Sequence, residues 1–340
     1  MVKRLAIVCA AFILSSCVSS AITDNVAYEP NWVSDPYTKY DRQTNVAAVG
    51  RGSSHEAAEK SAFGKLVAIF SQSIQVDERV SVNYQEAVRN GITTNWSENT
   101  AVDSMISTSA SLDSLVGAEI GDVWNDGNSF YAVAVLNKTN AIRIYSDIIR
   151  SNQTMIENLV SIPTEVKNTL EEYARYRFAA TIADMVVQYA NLLSFIGGSV
   201  QTIKSGDDYQ LEALDIAKAI PVALSVRNDR FGRIESSFAK ALSDLGFQSG
   251  GNNSRYVLDV DIISSVAEYP TNKHTLITVA ANLVDTVSGT VLLPYSFNDR
   301  GTHTTQALAD NQAYIVAERK INGEYAGLLS TYLNQLLPKR

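Results

Sequence analysis

The sequence predicts an α+β fold, in which two small sheet-plus-helix domains are joined by a helical segment. Residues 30–140 and 207–340 each contain several stretches where apolar and polar residues alternate as in β-strands, together with stretches of helical spacing. Residues 141–206, between them, carry apolar residues at helical spacing. A short apolar run behind two basic residues precedes both domains and predicts a signal peptide that is removed.

The first sixteen residues have the parts of a signal peptide. Lys3 and Arg4 supply the positive start, and an apolar run follows from residue 5 to residue 14. This run is too short to cross a bilayer as a helix, which requires roughly 20 apolar residues. We therefore predict that residues 1–16 direct export and are cleaved, and we expect no later segment to span a membrane.

The end of this run, Leu14-Ser15-Ser16-Cys17, resembles the lipobox of bacterial lipoproteins: Leu14 is aliphatic, Ser15 and Ser16 are small, and a cysteine follows. The resemblance implies cleavage before Cys17 and acyl chains on its thiol that hold the protein on a membrane. Residues 17–29 would then be a polar tether. An ordinary secretory cleavage after Ala21 is the alternative, because small residues also precede that position.

The residue after the cysteine bears on localisation. Val18 stands where many inner-membrane lipoproteins carry aspartate, so we expect the outer membrane, with the protein facing the periplasm. Of the two cysteines, Cys9 would leave with the signal peptide and Cys17 would be acylated. No disulfide would then be possible, and stability must come from a packed core.

Charge excludes some classes of partner. The 28 basic and 36 acidic residues give a formal net charge of −8, which becomes −10 when Lys3 and Arg4 are removed. An acidic chain lacks the basic face that nucleic acid requires, and charge does not attract it to anionic lipid headgroups. We therefore expect no nucleic acid among its partners.

The N-terminal domain is predicted as a strand, a helix and further antiparallel strands, beginning near Pro30. Ser53 and Glu56 have capping-box spacing at the start of the helix. The sequence Asn-Asp-Gly-Asn at residues 125–128 is typical of a hairpin turn. The predicted elements are a helix at 54–71 and strands at 45–49, 74–84, 115–123 and 130–136.

The helical segment and the C-terminal domain follow. Gly197-Gly198 interrupts the helical pattern of residues 140–204, and the pattern does not say whether this segment is a stalk or packs on a domain. The C-terminal domain has the predicted order β-α-β-β-β-α, with strands at 219–226, 256–262, 277–283 and 290–297 and a helix at 231–245. Its terminal helix carries Ala313, Ala317, Ile321, Leu328, Tyr332 and Leu336 at helical spacing, and Asn322-Gly323 is a candidate interruption of it.

Residues 30–140 resemble the Lpp-twenty lipoprotein family. The resemblance lies in Pro30-Asn31-Trp32-Val33, in residues 46–53 leading into the Ala-rich helix, and in Val123-Trp124-Asn125-Asp126-Gly127 followed by residues 130–136. The same small domain is similar to the start of the flagellar T-ring protein. Residues 207–340 resemble the outer-membrane lipoproteins that activate penicillin-binding proteins, through residues 234–238, Leu245-Gly246-Phe247, residues 256–258 and residues 283–289. These families supply no catalytic residues and imply assembly and scaffolding in the envelope.

Two motifs are candidates for binding a small ligand, one a nucleotide and the other a cation. Gly50-x-Gly52 lies between a strand and a helix, but His55 stands where a dinucleotide fingerprint has its third glycine, so a capped turn is the alternative. Asp259 and Asp261 share one strand face, with Asp285 nearby in the pattern, and could hold a cation; a solvated sheet face is the alternative.

The remaining candidates are histidines and aromatic residues. No pair of His55, His274 and His303 has metal-ligand spacing, and no serine nucleophile motif accompanies them. Trp32, Tyr37 and Tyr40 could form an exposed aromatic cluster for a partner, or could pack in a core. We predict no metal and no cofactor.

We therefore predict a lipid-anchored envelope lipoprotein with a non-enzymatic binding, scaffolding or assembly role. Its partners would be the membrane, through the acyl chains on Cys17, and an envelope protein or peptidoglycan. One alternative is a regulator of a peptidoglycan synthase that acts through the C-terminal domain. A second alternative is a periplasmic hydrolase.

Overall fold

The computed structural model describes residues 28–73, 115–251, 253–268 and 272–337. Two sheets linked by helices are present in these ranges, which confirms the predicted α+β class. The predicted strand at 74–84 lies outside the described residues, as does the chain before Tyr28.

The N-terminal sheet has the strand order β1-β3-β2, and both pairs of neighbours are antiparallel. One face packs on helix α2, whose cap is Ser54 rather than the predicted Ser53, because the Ala57 N–H donates to the Ser54 hydroxyl. The elements are α1 (Asn31–Ser34), a 3-10 helix (Pro36–Thr38), β1 (Asn45–Gly52), α2 (His55–Ser73), β2 (Ala118–Asn125) and β3 (Phe130–Asn137).

Three helices connect the sheets. Thr169 caps the second of them by accepting the Glu172 N–H. The third was not predicted, although Ser205 and Asp208 form a capping box at its start. The elements are α3 (Lys138–Val160), a 3-10 helix (Thr164–Val166), α4 (Leu170–Phe195) and α5 (Gly206–Ala219).

The C-terminal sheet has the order β4-β5-β6-β7, in which only the β4–β5 pair is parallel. Helices cover one face, and the alternating residues predicted to face the core are buried there. The elements are β4 (Val222–Arg227), α6 (Arg233–Asp244), β5 (Tyr256–Glu268), β6 (Lys273–Asp285), β7 (Thr290–His303), α7 (Gln306–Lys320) and α8 (Ala326–Gln335). The buried strand residues are Tyr256, Leu258, Val260, Ile262, Ile277, Val279, Ala281 and Leu283.

Helix α4 belongs to both hydrophobic cores. Its first turns, with Leu170 and Tyr173, pack in the C-terminal core, whereas the stretch from Phe178 to Leu193 packs in the N-terminal core. The Tyr173 hydroxyl donates to the Leu245 carbonyl over 2.7 Å. The helical segment therefore packs on both sheet regions and is not a stalk. The proposed limits of residues 30–140, 141–206 and 207–340 as separately folding units stay a prediction.

By length and composition, α4 is long and apolar enough to cross a membrane, so the expectation that no later segment meets this criterion is wrong. Burial gives the physical reason for its apolar composition. In the most apolar 18-residue window, 67% of the helix is buried inside the protein, between the two sheets.

After residue 321 the terminal helix departs from the predicted face at Leu328, while Tyr332 and Leu336 pack partly buried against the core. A π-helical turn (Ile321–Tyr325) separates α7 from α8 and inserts extra backbone into the helix. The apolar face therefore continues through Tyr325, Leu329 and Leu333, while the predicted Leu328 is 42% exposed.

Candidate functional site

The predicted lipidation residue, Cys17, lies outside the described residues, together with the cleavage motif Leu14, Ser15 and Ser16. The described chain begins at Tyr28, whose side chain is 86% exposed. The region around Tyr28 is therefore the part of the folded protein that a lipid tether would reach first.

The face of the N-terminal sheet opposite α2, here called the outer face, is partly covered by the first described segment. Trp32 is buried against Ala47 and Val133, and Tyr37 and Tyr40 pack around it half-buried. The backbone N–H of Ala47 donates to the Tyr37 hydroxyl over 3.4 Å. The aromatic cluster considered in the sequence therefore exists, but it forms a small core on the sheet, and only its rim is exposed.

Three side chains cross the end of the outer face, one from each strand; we call Arg51, Tyr131 and Trp124 the aromatic row. The strand register places Tyr131 directly opposite both of its neighbours. The Arg51 guanidinium lies 5.5 Å from the Tyr131 ring centre, and the Trp124 and Tyr131 ring centres are 5.4 Å apart. Both rings are half-buried, while Arg51 is exposed.

The hairpin turn that follows β2 holds this row in place. The Asp126 carboxylate accepts the Ser129 N–H over 2.6 Å and the Tyr131 hydroxyl over 3.2 Å. The Arg51 guanidinium donates to the Ser129 hydroxyl over 2.9 Å. Hydrogen bonds from the turn backbone hold the pKa of Asp126 below its usual value, so its carboxylate stays charged near neutral pH.

Sequence reasoning named Trp124 and Tyr131 only as part of a family motif. Counting outward from the turn would have paired them, because residue 125 pairs with residue 130. Predicting that Arg51 lies beside Tyr131 would have required knowing that β1 pairs with β3, and these two strands are far apart in sequence.

A second cluster fixes the 3-10 segment to the edge strand β2. The Tyr40 hydroxyl donates to the Asp122 carboxylate, and the Lys39 ammonium lies 2.6 Å from the same group. Burial and the bond to Asp122 raise the pKa of Tyr40 well above its usual range. Burial raises the pKa of Asp122, but bonds from Lys39 and Tyr40 outweigh it and leave that pKa below its usual value. Gly121 makes room for the Tyr40 ring, because a Cβ there would lie 2.3 Å from the hydroxyl oxygen.

Gly50-x-Gly52 serves close packing of β1 on α2. A Cβ on Gly50 would lie 2.1 Å from the Ala62 nitrogen and 2.4 Å from the Ala58 oxygen. A Cβ on Gly52 would lie 2.4 Å from the Ala58 nitrogen. Strand β1 also pairs antiparallel with β3, without the parallel crossover of a dinucleotide fold. The glycines are therefore explained by strand–helix contact, which contradicts the nucleotide alternative.

The three histidines lie in separate surroundings. His55 is at the start of α2, where its ring meets the Phe130 ring edge-on at 6.4 Å. The His274 ring contacts the Thr302 hydroxyl at 2.8 Å, and the His303 ring contacts the Thr304 hydroxyl at 3.2 Å. Among the described residues, no group of three His, Cys, Asp or Glu side chains is placed to hold a metal ion.

The aspartates of the C-terminal sheet are paired with cations from the protein itself. Arg227 binds Asp259 through two hydrogen bonds, of 2.6 and 3.2 Å, and lies 3.6 Å from Asp261. Asp285 is the last residue of β6 and lies on the buried face of the sheet, opposite Tyr256, where Arg255 donates to it over 2.9 Å. The three carboxylates therefore do not converge, and the guanidinium of Arg227 occupies the place of the cation that we considered.

An open cleft of about 330 Å³ lies between α3 and the loop after α4. Its lining is mainly polar and includes Ser146, Arg150, Gln153, Ser199 and Gln201. Arg150 is 75% exposed and pairs with Asp147 over 3.3 Å. The cleft is thus shallow and solvated, unlike the enclosed and largely apolar pockets that hold small ligands.

Comparison with known proteins identifies the N-terminal region. Residues 30–137 match the model of the LPP20 lipoprotein family, which confirms the resemblance found in the sequence for this third of the chain. No curated protein matches the chain by sequence.

Solved structures of low sequence identity also align with the chain. The secreted protein HP1454 from Helicobacter pylori is 13% identical, with a TM-score of 0.46, over 84% of this chain and 97% of its own. A minor lipoprotein from Acinetobacter baumannii is 17% identical, with a TM-score of 0.24, over 36% and 96%. Lipoprotein GNA1162 from Neisseria meningitidis is 15% identical, with a TM-score of 0.21, over 31% and 96%.

Proposed function

We propose that this chain is a lipoprotein of the bacterial envelope that is cleaved before Cys17 and held in the outer membrane, facing the periplasm, by acyl chains on that residue. The observation that carries the proposal is the match of residues 30–137 to a lipoprotein family. This region follows Cys17 in the sequence, and Cys17 itself follows Leu14-Ser15-Ser16. Several acyl chains on one cysteine give a stable anchor, whereas a single chain binds only marginally.

We further propose that its role is binding, scaffolding or assembly rather than catalysis. In the ranges that the structure describes, the groups considered for chemistry take part in structural contacts. Gly50 and Gly52 allow α2 to pack closely on β1, Arg227 forms an ion pair with Asp259, and Arg255 forms an ion pair with Asp285. The partner would be an envelope protein or peptidoglycan.

The second candidate, regulation of a peptidoglycan synthase, is favoured by one surface of the C-terminal domain. On the sheet face away from the helices, Ile263 is 61% exposed and Leu276 is 45% exposed, on the neighbouring strands β5 and β6. Exposed apolar side chains on a solvated sheet face are suited to protein contact. Ile263→Lys should reduce crosslinking to a synthase in intact cells if this candidate is right, while Leu211→Lys, at an equally exposed site in α5, should not.

The anchor is tested by metabolic labelling with a palmitate analogue. Cys17→Ala should abolish labelling and leave precursor or released protein, because no other thiol stands at the cleavage site. Cys9→Ala is the matched control, since it removes the other cysteine from the signal peptide and should leave labelling intact. Normal labelling of the Cys17 variant would refute the anchor. Sedimentation of the wild type with inner-membrane vesicles would refute the outer-membrane assignment.

A further inference from the structure

We propose that Tyr28 and the aromatic row form the surface on which the acylated protein rests against the membrane, in contact with the headgroups of zwitterionic phospholipid. This inference rests on the lipid anchor proposed above and adds to it an orientation of the N-terminal domain. If the proposal is wrong, the exposed side chains of this surface contact only water.

The length of the tether limits how far this surface can be from the bilayer. Ten residues lie between Cys17 and Tyr28, so eleven Cα–Cα steps join the two residues. Fully extended, they reach about 40 Å, and a flexible chain of this length has an average end-to-end distance of about 20 Å. A domain of about 100 residues has a radius of gyration of about 13 Å and hence a larger diameter than this average distance. The side of the domain that carries Tyr28 is therefore favoured to face the membrane.

The chain enters the folded domain beside the aromatic row. Trp32 is buried on the outer face against Val133, two residues along β3 from Tyr131. Tyr28 lies four residues before Trp32, so their Cα atoms are at most about 14 Å apart. Because Trp32, Val133, Tyr131 and Trp124 pack in one cluster, Tyr28 enters the domain on the side of the sheet that carries the aromatic row.

The side chains on this surface suit an interface between apolar chains and water. Tyrosine and tryptophan have an apolar ring and a polar tip, and they are enriched at the headgroup level of membranes. Tyr28 is 86% exposed and Tyr131 is half-buried, whereas Trp124 presents only part of its ring because its indole Nε1 is buried. Arg51 is exposed and carries a long apolar stem with a charged end, which suits contact with headgroup phosphates.

Charge selects the class of lipid. Around this surface the basic groups are matched by acidic ones: Lys39 pairs with Asp122, and Asp126 lies near Arg51. The mature chain is also strongly acidic as a whole. Anionic lipid would therefore gain little attraction and meet long-range repulsion, whereas a zwitterionic headgroup can bind both signs of charge locally.

The experiment uses single labels on the full acylated chain in vesicles of phosphatidylethanolamine and phosphatidylcholine. Because the mature chain would carry no other free thiol, Asn128→Cys places one fluorophore at the hairpin turn next to the aromatic row. Ser288→Cys places the same fluorophore on the matched turn of the C-terminal sheet. With nitroxide-headgroup lipid as quencher, we expect at least threefold stronger quenching at position 128 than at position 288.

Two additional variants show whether the aromatic side chains cause the contact. Tyr28→Ser should at least halve the quenching difference, and Leu211→Ser, at another exposed apolar residue, should leave it unchanged. Mass spectrometry of the same sample counts the acyl chains. Complete acylation with equal quenching at both positions would overturn this inference alone. Absence of acyl chains would overturn the anchor and this inference with it.

Discussion

Replacing Tyr173 with alanine tests whether α4 joins the two cores into one cooperative unit. Tyr173 is buried in the C-terminal core, its ring lies 4.7 Å from the Phe247 ring centre, and its hydroxyl donates to the Leu245 carbonyl. The same helix continues into the N-terminal core through Phe178 and Ile182. Loss of packing at residue 173 should therefore weaken the N-terminal region as well.

The size of the effect follows from the contacts that are lost. Truncating a buried aromatic ring to alanine costs about 3–5 kcal/mol. The hydroxyl accounts for about 1 kcal/mol of this, so Tyr173→Phe should be much milder than Tyr173→Ala. With an m value of about 3 kcal/mol/M in urea, the midpoint of unfolding of the alanine variant should lie about 1–1.7 M lower.

The positions of the tryptophans allow each region to be followed separately. Trp32 and Trp124 lie in the N-terminal sheet region, Trp96 lies outside the described residues, and the chain has no tryptophan after residue 124. Tryptophan fluorescence therefore does not report the C-terminal sheet region directly. Far-ultraviolet circular dichroism reports the whole chain. We expect both signals of Tyr173→Ala to shift together to the lower urea concentration.

Leu211→Ala is the control, because Leu211 is 62% exposed on α5 and its loss should change stability by less than about 0.5 kcal/mol. If Tyr173→Ala leaves the fluorescence midpoint unchanged while an earlier dichroism transition appears, the two regions unfold independently. The reasoning about α4 would then be refuted, and residues 207–340 could fold alone as the sequence suggests.

The remaining predictions concern the close packing at Gly50 and the partly exposed ion pair of Arg255 and Asp285. Gly50→Ala should lower the free energy of unfolding by about 1–3 kcal/mol, because its Cβ would meet the Ala62 backbone. Gly64→Ala, in open space on α2, should raise it by about 0.5–1 kcal/mol. Equal effects of the two variants in calorimetry would contradict the strand–helix contact. Hydrogen bonds from Arg255 hold the pKa of Asp285 below its usual 3.8, so its contribution to stability is complete above about pH 4 and is lost as pH falls through the folded pKa. In urea unfolding, the stability gap between wild type and Asp285→Asn should narrow from pH 7 to pH 3; a constant gap would contradict this linkage.

Local patterns predicted most of the elements but not their neighbours. Alternation located the core residues of β5 and β6, because a strand with one buried face must repeat every second residue. Apolar spacing did not indicate α5, whose start is marked instead by the capping box of Ser205 and Asp208. Asn322-Gly323 marked the interruption of the last helix, but only the structure shows that it is a π-turn, which moves Leu328 out of the buried face.

The sequence by itself determined the α+β class and the resemblance of residues 30–137 to a lipoprotein family, because each depends on residues that are close together in the chain. The export signal and the acylated cysteine remain predictions from the same local kind of pattern. Only the tertiary structure decided that Gly50 admits a helix, that Arg227 occupies the supposed cation site, and that Arg51 completes the aromatic row. It alone shows α4 packed in both cores. These contacts join residues that are distant in sequence, and the pairing of such residues is set by the packing of whole elements rather than by local preference.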